Sequence, residues 1–160
     1  MTTLIELKFR CPKCNDVFQG SVLGSMGFKG TDEQLCHEYW GLNPMPYFLL
    51  VCPHCDYIDW TSNFIQIDEE LDESLLRANP SCDSFEKYIK TLIEQDADPS
   101  LIAYVSQQSG CCRRINGQDP SAQFQRSVEY FRKAQAKGIV KMGNLSIEEW
   151  IERMENYKNI

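Results

Sequence analysis

The stretch YFLLVCPHCD (residues 47–56) runs an apolar segment straight into a Cys-Pro-x-Cys cluster, and a near copy, CPKCN, stands at residues 11–15. The first copy is entered the same way. In LIELKFR (4–10), Ile5, Leu7 and Phe9 alternate with Glu6, Lys8 and Arg10, the pattern of a half-buried strand. A two-residue spacing lets both sulfurs of a cluster face one point, while amides of the tight turn face the sulfurs. Cys11, Cys14, Cys52 and Cys55 therefore read as two knuckles that meet to complete a tetrahedral S4 set. Thirty-seven residues, 15–51, separate the knuckles, a span that a ribbon with a long insertion can bridge. The residue after the second cysteine of a knuckle needs positive φ. Asn15 and Asp56 stand there, two of the few non-glycine types that tolerate it.

The expected ligand is one structural Zn²⁺, since four thiolates leave no open position for a catalytic water. Iron in a rubredoxin-type site is less favoured. A thiol oxidoreductase is the competing reading of a single C-x-x-C, but two complementary clusters fit a metal better.

Length and charge narrow the rest. The chain has 160 residues, 42% of them hydrophobic and 24% charged, as in a globular protein. The net charge of -7 argues against nonspecific nucleic-acid binding, which needs clustered Lys and Arg. The only Arg pair lies in CCRRI (111–115), read as a solvated helix face. No apolar run approaches the roughly 20 residues of a membrane span. The opening MTTLIELKFRC lacks a basic region followed by a long apolar one, so a cytoplasmic location is expected. Four more cysteines, Cys36, Cys82, Cys111 and Cys112, have no ligand spacing among themselves. In that compartment they are expected to be ordinary thiols, with a second metal site or a vicinal Cys111–Cys112 redox pair as weaker readings. His37 and His54 are the only histidines, and His54, inside a knuckle, is expected to be exposed. Phosphate-binding glycine loops, G-x-S-x-G and H-E-x-x-H are missing from the sequence.

Segments 17–30 and 57–67 read as short strands or extended chain, and 31–46 as a loop with one helical turn. The period then changes. DEELDESLLRANP (68–80) reads as a short helix with an acidic start. Asp83 is placed to cap the next, whose stripe is Phe85, Tyr88, Ile89, Leu92 and Ile93. Asp98-Pro99 starts a helix ending at Asn116-Gly117, and Asp119-Pro120 starts one ending at Gly138. Ser146 and Glu149 form a capping-box pattern ahead of Ile147, Trp150, Ile151 and Met154. The acidic run 68–73 is read as a helix N-terminal turn rather than a Ca²⁺ site.

The stretch FRCPKCNDVFQG…NPMPYFLLVCPHCDYIDWTSNF resembles the amino-terminal part of the bacterial domain-of-unknown-function 2225 family. Cys11, Cys14, Phe18, Asn43, Pro44, Tyr47, Cys52, Pro53, Cys55 and Tyr57 match its pattern, while Asn15 and Asp56 replace its knuckle glycines. The resemblance implies a zinc-ribbon-like head followed by helices of tetratricopeptide type, and residues 101–138 look like one degenerate unit. It implies no activity.

The expected fold is α+β: a zinc-ribbon or rubredoxin-like β head, 1–67, packed as one compact unit on four or five helices, 68–160, with tetratricopeptide-like hairpins. The expected function is that of a non-enzymatic zinc-binding protein whose helices, over the exposed faces of 101–158, meet an unknown protein or peptide. The alternatives are a redox or electron-transfer protein using the S4 centre or reactive thiols, and a nucleic-acid-binding zinc ribbon.

Overall fold

The computed structural model describes residues 1–157; residues 158–160, the end of the expected helical part, lie outside the described residues. The fold is α+β, small antiparallel sheets and four α-helices. The chain divides into two units. One comprises residues 1–28 and 39–84, the other 29–38 and 85–160.

The first unit is built on β1 (Thr3–Arg10), the centre of a three-stranded sheet between β2 (Val17–Ser25) and β7 (Ile65–Ile67). The β1–β2 register sets Phe9 opposite Phe18 and Arg10 opposite Val17, so the turn between them is the first knuckle. A second hairpin pairs β5 (Leu49–Val51) with β6 (Ile58–Trp60), Val51 opposite Ile58, and its turn is the second knuckle. The alternation of β1 holds only at its knuckle end: Phe9 is buried and Leu7 half-buried, but Ile5 is exposed and Lys8, from the expected outer face, is buried. Phe9 joins Phe18, Val22, Leu50, Phe64, Cys11 and Cys52 in one buried cluster. Phe18 and Phe64 meet edge to face at 5.8 Å, and Phe64 lies 5.6 Å from Tyr57. Each buried aromatic side chain contributes roughly 1.5–3 kcal/mol.

Two expectations fail in this unit. Segment 17–25 is one nine-residue strand, not irregular pieces, because β1 offers it a continuous partner. The helix expected over 68–80 does not form. The buried Gln19 holds the segment extended instead: its side chain bonds the carbonyl and amide of Asp72, and its backbone bonds Leu76 and Ala78. Asp72 Oδ1 turns back to Ser74, a local bond that competes with helix.

The second unit holds α1 (Asp83–Glu94, whose first two residues belong to the first unit), α2 (Pro99–Ile115), α3 (Ser121–Ala136) and α4 (Ile147–Glu155). Asp98 caps α2 through Ser100, and Ser146 caps α4 through Glu149. Gly117 and Gly138 take positive φ, 76° and 85°, just past the ends of α2 and α3. Asp83 is the first helical residue of α1, and its amide bonds Ser81 Oγ. The segment 31–46 carries no α-turn; it forms β3 (Phe28–Thr31) and β4 (His37–Tyr39), then a 3₁₀ turn at Met45–Tyr47. A short hairpin, β8 (Lys141–Met142) and β9 (Leu145–Ser146), leads into α4; its sequence signal is the two-residue turn Gly143-Asn144, where Gly143 takes a φ of 63°.

α2 and α3 form a closely packed helical hairpin. Ser127 Oγ donates to the Ala103 carbonyl at 2.8 Å, with both residues fully buried. A Cβ on Gly110 would stand 2.6 Å from the Phe124 ring, which is itself buried and edge-on to Tyr157. Glu86 of α1 receives both Nη atoms of Arg126 of α3, at 2.8 and 3.0 Å, and the Ser109 hydroxyl of α2 at 2.8 Å. Burial pushes the Glu86 carboxyl up, but these donors outweigh it and hold it below the ordinary carboxylate value.

Gly110→Ala should destabilise the protein by about 1–2 kcal/mol in a denaturant titration. The helix-propensity gain of about 1 kcal/mol is outweighed by overpacking that typically costs about 1–3. Glu86 contributes stability that is present above the unfolded carboxyl pKa and is lost as pH falls through its lower folded value. Glu86→Gln should therefore be less stable at neutral pH and show a flatter loss of stability between about pH 5 and 3.

Candidate metal centre

The two knuckles are built alike. After the strand, the amide of Cys11 bonds the Asp16 carbonyl at 3.0 Å and the amide of Asn15 bonds the Cys11 carbonyl at 2.9 Å. At the second knuckle Cys52 bonds Tyr57 at 2.8 Å and Asp56 bonds Cys52 at 3.0 Å. Asn15 and Asp56 take φ of 66° and 61°, the left-handed conformation expected of both. The Lys13 amide points at Cys11 Sγ from 3.4 Å.

The hairpin tips bring all four sulfurs together. The Sγ atoms of Cys11, Cys14, Cys52 and Cys55 lie within 4.8 Å of one another. Across the knuckles, Cys11 and Cys55 stand 3.6 Å apart and Cys14 and Cys52 stand 3.8 Å apart. Cys11 and Cys52 are fully buried against the aromatic cluster, and Cys14 and Cys55 are half-buried. None of the four is disulfide-bonded.

Electrostatics show what such crowding demands. Burial raises the Cys11 thiol, but the Cys14 and Lys13 amides and the Cys55 and Cys52 thiols outweigh it, so Cys11 titrates below its ordinary value. The Asp16 amide pulls Cys14 down, yet burial and the sulfurs of Cys55, Cys52 and Cys11 push it up to about 12. Burial also lifts Cys52, ahead of the His54 and Cys55 amides that lower it. One thiolate is stabilised and further ones are resisted. Four thiolates coexist only around a cation, and a soft all-sulfur donor set suits Zn²⁺ or iron. The site can hold a metal ion; the donors alone do not select which.

The other candidates fall elsewhere. His54 is exposed, as expected; its Nε2 lies 3.2 Å from the Val17 carbonyl and its Nδ1 3.9 Å from Asp16. His37 is exposed on β4, its Nδ1 3.0 Å from Thr31 Oγ1. The expectation of four ordinary thiols is overturned. Cys36 and Cys111 form a disulfide with Cα atoms 5.5 Å apart, and Cys82 and Cys112 each take part in a disulfide rather than standing as free thiols. Nor do Cys111 and Cys112 pair with each other, since Cys111 bonds Cys36. The sequence hint was the adjacency itself. Neighbouring cysteines bond each other poorly, so when both are oxidised on a helix each takes a partner elsewhere.

The Cys36 loop explains a further correction. Arg114 is not on a solvated face. It pairs with Asp32, donates to Gln34 Oε1 at 2.9 Å and lies over the Phe124 ring. Gln107 Nε2 donates to the Gln34 carbonyl at 3.0 Å, and Gln34 Nε2 to the Arg153 carbonyl at 3.3 Å. Asp32 Oδ1 accepts from the amides of Gln34 and Cys36, shaping the loop for Cys111.

A family model described as "Uncharacterized protein conserved in bacteria (DUF2225)" matches residues 4–116, which include both knuckles. The chain belongs to the DUF2225 family. No curated protein and no solved structure matches it. The match reaches beyond the knuckles to take in α1 and α2, so Cys36, Cys82, Cys111 and Cys112 also lie within this DUF2225 region. Among the described residues no helix is long and apolar enough to cross a membrane.

Asn15→Gly and Asp56→Gly should leave the knuckles intact, because glycine adopts the same φ without penalty. Asn15→Val or Asp56→Val should each cost about 1–2 kcal/mol or more in a thermal or denaturant melt, since a β-branched residue resists the left-handed region.

Proposed function

We propose that this DUF2225 chain is a non-enzymatic zinc protein. In this reading one structural Zn²⁺ closes the β head and the helical unit receives a protein or peptide partner. The convergence of four cysteine sulfurs at the tips of two matched hairpins carries the proposal. An all-cysteine shell fills every position of a tetrahedral ion, which favours a folding role over a catalytic one. Structural zinc in small fingers contributes on the order of 10–16 kcal/mol of apparent binding energy, comparable with a whole domain's net stability.

The partner surface we propose lies on α3 and α4. A groove of about 820 Å³ is lined there by Phe124, Val128, Ala136, Met154 and Tyr157, with Arg132 among its charged rim residues. An apolar floor with a charged rim suits a peptide or helix. A photo-crosslinking residue at Gln125 in this groove should trap one discrete protein in cells. The same residue at the exposed Lys90 should not. Equal labelling at both positions would remove the groove from the proposal.

Elemental analysis of protein purified without added metal, with a visible spectrum of the same sample, tests the centre. The expected result is about one zinc per chain and no visible absorption. Iron with strong visible absorption would replace this reading by the electron-transfer one. Cysteine ligands must be deprotonated, so acid should release the metal as the thiolates reprotonate. Cys11→Ser or Cys52→Ser should lose the metal and unfold the head, seen as loss of chemical-shift dispersion for Phe9, Phe18 and Phe64.

A further inference from the structure

Two kinds of cysteine share this chain. Cys11, Cys14, Cys52 and Cys55 are unpaired, while Cys36, Cys82, Cys111 and Cys112 are disulfide-bonded. The kinds alternate along the chain, for Cys36 lies between the two knuckles. Composition gives no reason for this sorting. Eight free cysteines allow on the order of 100 pairings, four only a few. Burial does not sort them either, since Cys11 and Cys52 are as buried as Cys36 and Cys111. Proximity makes the sorting harder to explain. The cross-knuckle sulfurs at 3.6 and 3.8 Å need less than about 2 Å of movement to reach bonding distance.

We propose that a metal ion in the head holds Cys11, Cys14, Cys52 and Cys55 out of thiol–disulfide exchange and so directs oxidation to Cys36, Cys82, Cys111 and Cys112. Loss of the ion then exposes the head to cross-knuckle oxidation, Cys11 with Cys55 and Cys14 with Cys52. The inference rests on the metal reading above. Its chemistry is that of the thiolate: exchange requires a nucleophilic, accessible sulfur, and coordination to the cation draws electron density from that sulfur and holds it in place. Each new disulfide gives up two protons and two electrons. A disulfide oxidant such as glutathione disulfide accepts them and becomes two glutathione thiols.

The Cys36–Cys111 bond has a place prepared for it, which the metal would keep available. Asp32 shapes the loop, and Gln107, Arg114 and Arg153 hold it on α2 and α4. A head that has oxidised first offers Cys36 the wrong partners before that seat has formed.

The test is to refold the reduced full chain in a glutathione–glutathione disulfide buffer, with zinc or with a chelator. Thiols are then trapped by alkylation, disulfides mapped by peptide mass spectrometry, and zinc measured on the same samples. With zinc, Cys36–Cys111 should be linked and the four head cysteines alkylated. With chelator, Cys11–Cys55 and Cys14–Cys52 should appear and the yield of Cys36–Cys111 should fall. The folded zinc-loaded chain, exposed to glutathione disulfide, should lose its head thiols at least about tenfold faster once chelator is added. That arm needs no refolding. Identical disulfide maps with and without zinc, or oxidised head cysteines in chains that retain zinc, would overturn the proposal. Chains that take up no zinc in either arm would overturn the metal reading beneath it, and the zinc assay separates that failure from the first.

Discussion

Four sulfurs within 4.8 Å of one another are the constraint around which the β unit is organised. Like-charged thiolates at that separation repel strongly, and as neutral thiols they would be a poor use of two matched turns. Burial lifts Cys52, burial and the three other sulfurs lift Cys14, and only Cys11, where turn amides and neighbouring thiols outweigh burial, is lowered. A metal cation held among the sulfurs would remove the repulsion. The aromatic cluster of Phe9, Phe18 and Phe64 packs directly behind Cys11 and Cys52. The buried cysteines of the candidate centre are thus part of the same core.

The knuckles were readable in the sequence because every part of their physics is local. Spacing fixes where the sulfurs point, the preceding strand fixes the hairpin, and Asn15 and Asp56 fix the turn at a φ that most residues avoid. The helices from Asp83 onward were readable for a similar reason, since caps and stripes are local signals. The segment 68–80 was misread because its conformation is set from far away. Its acidic start has the composition of a helix N-terminus, but Gln19, more than fifty positions earlier, supplies four backbone and side-chain hydrogen bonds to the extended form. Local propensity is a weak prior when a buried amide side chain needs exactly those partners.

The disulfides escaped the sequence reading for a different reason. The expected compartment is an argument about solvent and not about geometry, so it does not reveal how Cys36, Cys82, Cys111 and Cys112 pair. The deciding features are tertiary. Asp32 turns a hairpin loop so that Cys36 faces α2, and Arg114, a charge first read as solvated, anchors that loop instead. Local pattern cannot show that residues 29–38 belong with the helices while their neighbours on both sides belong to the β unit.

This interleaving has a physical consequence. The segment 29–38 leaves the β unit, is secured among helices by a disulfide spanning 75 residues, and returns to supply the second knuckle. On a chain-entropy view, a closure of that length restricts the unfolded ensemble by about 4 kcal/mol. The loop runs from Cys36 to Cys111, so it contains the second knuckle and leaves the first outside it. The route from Cys36 to Cys52 through Cys111 is far longer than the direct one, so the disulfide hardly changes the chain that separates the knuckles, and the entropy of bringing them together is left for the ion to offset. The two uses of cysteine, thiolate and disulfide, therefore meet on one stretch of backbone without the disulfide easing closure of the metal site.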